Sequence, residues 1–80
     1  MKKNLFILNT IKIWVKKKTG FKINTENHLL HDRILDSLAI SEFIIFCEKE
    51  FKVKFKKKDL LNNNFGNVDY IINLIHEKKI

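Results

Sequence analysis

The sequence predicts an all-α fold, a small bundle of helices, and three observations predict it. Three segments place apolar residues at helical spacing, the chain has no proline, and its one alternating stretch has only a short partner for a sheet. Eighty residues make one domain, residues 1–80. A chain of that size buries only about 60–70% of the surface its unfolded form exposes, which leaves a single thin core and no deep active site. An autonomous enzyme is therefore disfavoured, and no nucleophile–base pair or metal set stands out to reverse that judgement. An apolar content of 45% is ordinary for a globular protein and argues against disorder.

The first helix is carried by Ile7, Leu8, Ile11, Trp14 and Val15, which follow the i, i+1, i+4, i+7, i+8 pattern of one face. Lys16-Lys17-Lys18 complements the negative end of its dipole, and Gly20 suits its C-terminal stop. The face is read as core-facing with a solvated lysine side; a basic amphipathic helix lying on a membrane is the other reading. Residues 21–35 keep no period and form a long loop. His28, His31 and Asp32 fall in it, and without a further ligand at metal spacing they read as surface residues.

The second helix begins at Asp36-Ser37. Ile40, Phe43, Ile44, Cys47 and Phe51 make one core stripe, while Leu38, Ile45 and Phe46 lie off it. Leu38 and Ile45, seven apart, share a face of their own. That strip either packs against the long loop or meets a partner. Cys47, the only cysteine, sits within the apolar run and reads as a small core residue. With no disulfide framework the compartment is read as the cytoplasm.

Phe51, Val53 and Phe55 alternate with Lys52, Lys54 and Lys56, a strand pattern whose one short partner is Phe21-Lys22-Ile23. The expectation is an extended connection with alternate side chains anchored in the core. A short helical turn follows at Asp59-Leu60-Leu61. The last helix opens near Asn67 as N-cap, with Asp69 in its first turn, and buries Val68, Ile71, Ile72 and Ile75.

Lys2-Lys3 before Leu5-Phe6-Ile7-Leu8 imitates a signal-peptide opening, but Asn9, Thr10 and Lys12 break the run and no small-residue cleavage site follows. No stretch approaches the roughly 18 apolar residues that span a bilayer, so the expectation is a soluble protein. The net charge of +7 is unevenly placed. Residues 1–31 hold seven lysines and one glutamate, and residues 51–80 hold seven lysines against Asp59, Asp69 and Glu77. Residues 32–50 run the other way, with Asp32, Asp36, Glu42, Glu48 and Glu50 against Arg33 and Lys49. Lys, Asn, Ile and Phe make up over half the chain, a bias that accounts for much lysine without a function.

Ile34-Leu35-Asp36-Ser37-Leu38 resembles the Asp-Ser-Leu attachment motif of acyl and peptidyl carrier proteins. The context resembles them too. The serine opens an amphipathic helix near mid-chain, Phe51 closes it fourteen positions later, and Asn64-Phe65-Gly66-Asn67-Val68-Asp69-Tyr70-Ile71 leads into the final helix. The likeness covers residues 4–78. It implies a four-helix bundle with a long first loop and a short third helix. It implies a 4'-phosphopantetheine arm from coenzyme A on Ser37, attached by a phosphopantetheinyl transferase whose metal ion Asp36 helps to hold. The arm's thiol then carries an acyl or aminoacyl group as a thioester. The Leu-Asp-Ser form is most similar to stand-alone D-alanyl-type or peptidyl-type carriers; carriers of fatty-acid synthesis are usually strongly acidic and often have alanine before Asp-Ser. The implied partners are an adenylating ligase or acyltransferase and a downstream synthase or transferase, meeting a monomeric, non-catalytic carrier. They would dock on Leu38, Glu42, Ile45 and Glu48 of the second helix. The competing reading is a small basic helical nucleic-acid-binding domain, motivated by Lys56-Lys57-Lys58 and the basic ends. Dispersed lysines and a single arginine argue against it, because arginine is the residue that reads bases bidentately.

Overall fold

A computed structural model of the chain describes residues 2–79, with side chains from Leu5 onward. The Lys2 and Lys3 side chains of the signal-like opening lie outside the described residues. Four helices follow in order among the described residues, α1 (Lys2–Thr19), α2 (Ser37–Phe51), α3 (Lys57–Leu61) and α4 (Val68–Lys79), and no strand forms. None is long and apolar enough to cross a membrane. The expected four-helix bundle with its long first loop and short third helix is what is found. Its radius of gyration is 11.4 Å, close to the roughly 11.6 Å of a compact chain of this length.

The core grows from the predicted faces. Ile7, Ile11 and Val15 of α1 are buried with Val68, Ile71, Ile72 and Ile75 of α4, and these two helices approach each other most closely. α2 meets α1 through aromatic side chains. Trp14 stacks on Phe46 with ring centroids 5.5 Å apart, and sits 5.5 Å from Phe43. The buried face of α2 is narrower than its stripe suggests: Phe43, Cys47 and Phe51 are buried, whereas Ile40 and Ile44 are only partly covered. Phe46, off the stripe, is drawn inward by Trp14 instead.

The helix ends are satisfied locally. Gly20, at φ +82°, turns the chain and donates its N–H to Lys16 O. Asn67 Oδ1 accepts from Tyr70 N at 2.9 Å, the expected N-cap of α4. Lys79 Nζ reaches back to Phe51 O at 3.3 Å, at the end of α2.

The stretch after α2 is not a strand; residues 53–56 take no regular structure, and Phe51, the first of the alternating residues, is the last residue of α2. Lys52 leaves the helix at φ +56°, after which Val53 is half-buried and Phe55 buried. Phe55 packs edge-on against Phe65, centroids 5.5 Å apart. α3 opens two residues before the predicted turn because Asp59 Oδ2 accepts from Lys56 N at 2.8 Å, which fixes the first turn.

The first loop is more ordered than its lack of period suggests. Asp32 Oδ2 gathers Asn27 Nδ2 and His28 N, at 3.0 and 2.9 Å. Those two hydrogen bonds, Asn27's first, hold the Asp32 carboxyl below its ordinary value. Leu29 N donates to Gly66 O and Val68 N to Asn27 O, which ties the loop to the start of α4. Ile23, Leu29 and Leu35 are its buried anchors. His31 is exposed, as expected, but His28 is half-buried and has a structural part. Its Nδ1 accepts from Leu30 N and His31 N, and its ring lies so close to Gly66 that a Cβ there would collide with it.

Candidate functional site

The Asp36-Ser37 pair stands where the long loop becomes α2. Loop and helix are set by different residues. Leu29 O accepts from both Ile34 N and Leu35 N, and buried Leu35 pins the loop end to the core. Asp36 then takes an extended conformation, and its Oδ1 accepts from Ala39 N at 2.8 Å. Asp36 is thus a helix N-cap. One carboxylate oxygen is engaged in that bond, and a carboxylate retains further acceptor positions.

Ser37 is the first residue of α2 and is exposed to solvent. At that position its own N–H and that of Leu38 precede the intrahelical ladder, and the helix dipole presents its positive end. An anionic group on Ser37 Oγ would therefore find free donors close by. Ser41, one turn on, donates its hydroxyl to Ser37 O at 3.1 Å, so the two serines differ in how their oxygens are committed.

Leu38 and Ile45 do not pack against the long loop. They lie on the side of α2 opposite Phe43 and Cys47, and are 73% and 53% exposed. Ser37, Leu38 and Ile45 thus form an accessible serine at the head of an apolar row.

The two expected docking glutamates differ. Glu42 is exposed and pairs with Lys18 at the end of α1, an exposed contact of small energy. Glu48 is half-buried and Oε2 accepts from Phe55 N at 3.0 Å. It braces the α2–α3 connection, a structural part that sequence spacing alone did not reveal. The acidic rim on the outer side of α2 therefore rests on Glu42. On α3, Leu61 is exposed, which sequence reading did not single out.

Cys47 is fully buried, and burial pushes its thiol pKa up, with Glu48 adding to the effect. It has no part in an exposed site. No group of three or more potential metal ligands occurs among the described residues. No protein-family model, curated protein or solved structure matches the chain.

Proposed function

We propose that this chain is a carrier protein that holds an acyl or aminoacyl group as a thioester on a 4'-phosphopantetheine arm attached to Ser37. The observation that carries the reading is the solvent-exposed Ser37 at the first position of α2, capped by Asp36 and followed by the exposed row of Leu38 and Ile45. The residues present suit the group. A phosphodiester on Ser37 meets the unpaired N–H groups of a helix start, a general setting for phosphate.

The arm, when attached, supplies a terminal thiol on a long flexible tether, which makes encounter with successive enzymes local. The chain's own residues do the rest. Ser37 Oγ gains its bond to phosphorus as the adenosine bisphosphate portion of coenzyme A departs, and its proton leaves to a base of the transferase. No general base is needed in the carrier, which is consistent with a thin core lacking a deep cleft. Leu38 and Ile45 offer an apolar contact for partner enzymes, and Glu42 offers charge that guides encounter.

The experiment is modification in vitro by a broad-specificity phosphopantetheinyl transferase with coenzyme A and magnesium. The protein should gain one phosphopantetheine and one reactive thiol. Ser37→Ala should abolish the gain without loss of stability, while Ser41→Ala should keep it. An adduct that survives Ser37→Ala would sink the assignment of the site.

A further inference from the structure

The outward side of α1 is not the plain lysine face expected of it. Opposite Ile7, Ile11 and Val15, the helix exposes Leu5, Phe6 and Ile13 by 57%, 60% and 64%. Phe6 and Ile13 are seven residues apart and so stand in one line along the helix, with Leu5 beside Phe6. Lysines flank this row: Lys12, Lys16 and Lys22 surround Ile13 on one side, and Lys17 adjoins it on the other. Phe21, just past the helix end, adds a further exposed aromatic ring.

We propose that this face of α1 lies on the surface of an anionic lipid bilayer. Such a surface accepts both halves of the pattern. Apolar side chains enter the boundary between headgroups and acyl chains, while lysines meet lipid phosphates. The other occupants fit less well. A second copy of the chain docked face to face would set these lysines against themselves. Nucleic acid would accept the lysines but strand Leu5, Phe6 and Ile13 against phosphates. A protein partner would need a groove shaped for a convex helix ridge, whereas a bilayer needs no matching shape. Glu50, across the groove beside Ile13 and Lys17, is the acidic side chain on that flank, and it is outnumbered by the lysines. Lys18, at the end of the helix, turns to Glu42 instead.

The proposal is independent of Ser37, because the row lies on a different helix from the carrier site. It is tested by co-sedimentation of the full chain with vesicles of phosphatidylglycerol and phosphatidylcholine, and with vesicles of phosphatidylcholine alone. Binding should be at least tenfold stronger to the anionic vesicles and should weaken as salt rises. Leu5→Ser/Ile13→Ser should lose at least tenfold in binding while keeping the wild-type circular dichroism and melting curve; Phe6 is left in place because its ring meets buried Phe51 edge-on, centroids 6.5 Å apart. If that double variant does not keep them, Ile13→Ser alone serves, since Ile13 is the most exposed of the three; a loss of about threefold or more is expected. Lys12→Gln/Lys16→Gln/Lys17→Gln should lower binding and flatten its salt dependence. No binding to anionic vesicles, equal binding to phosphatidylcholine, undiminished binding by the serine variants, or capture by an acidic protein in place of the vesicles each overturns it.

Discussion

Asp59 joins three parts of the fold through one carboxylate. It is buried, its Oδ2 accepts from Lys56 N at the start of α3, and the same oxygen lies 2.8 Å from Lys78 Nζ of α4. The lysine's hydrogen bond, above all, holds the carboxyl below its ordinary value of 3.8. A group whose folded pKa is depressed adds stability above its unfolded pKa and loses it as pH falls through the folded value. Asp59→Asn should therefore lower stability by about 1.5–3 kcal/mol at neutral pH, the range for a hydrogen bond to a charged group. Urea melts over a pH series should show that gap narrowing below pH 3.8; a gap constant down to pH 2 contradicts the account. Cys47 makes the second prediction at this scale. Buried in the core stripe with its thiol pKa raised, it should react with a thiol reagent in the unmodified protein only as fast as the fold opens. Denaturant should release prompt stoichiometric labelling, and equally prompt labelling without denaturant would show that α2 is faced wrongly.

At the scale of elements, α2 has two unlike sides. Phe43, Cys47 and Phe51 hold it to the bundle, and Leu38 and Ile45 leave it an apolar outer face, the proposed docking surface. The glutamates divide between those sides, so charge reversal should separate them. Glu42→Lys removes a surface pair worth about 0–1 kcal/mol and should leave the melting curve nearly unchanged while slowing modification by the transferase. Glu48→Lys removes the acceptor of the Phe55 N–H and should cost about 1–3 kcal/mol, the penalty for a donor left unsatisfied. Equal stability of the two variants, measured by thermal melts, would show that the Glu48 bond does not brace the connection.

Periodicity made α1, α2 and α4 legible because each helix puts a continuous apolar face on the core, and the buried residues of α4 are the four expected ones. The anchoring of the stretch after α2 was legible from Phe55, which is buried, whereas Phe51 before it belongs to α2. The first loop was not legible, since its order comes from hydrogen bonds between residues brought together by the turn, such as Asp32 with Asn27 and His28. Those bonds leave no period. The same reason hid the fit of His28 over Gly66 and the brace from Glu48 to Phe55. Asp36-Ser37 was legible as a helix start, and the structure adds what sequence did not decide: Leu38 and Ile45 are open to solvent and do not pack under the loop.

At the scale of the whole molecule, an accessible serine at the head of the second helix is the feature on which the proposed carrier role rests. Most of the chain's burial serves to hold four helices together, and exposed apolar side chains lie outward on α1, α2 and α3. The net charge is concentrated away from α2, whose outer face keeps Glu42 beside Leu38 and Ile45. The proposed carrier role requires that Ser37 carry a covalent arm in the cell. The most direct measurement is the intact mass of the protein purified from its own host, with fragmentation to locate any added group. One phosphopantetheine is expected on Ser37, bearing an acyl or aminoacyl group in part of the population. An unmodified mass throughout, in cells shown to hold an active phosphopantetheinyl transferase, would contradict it.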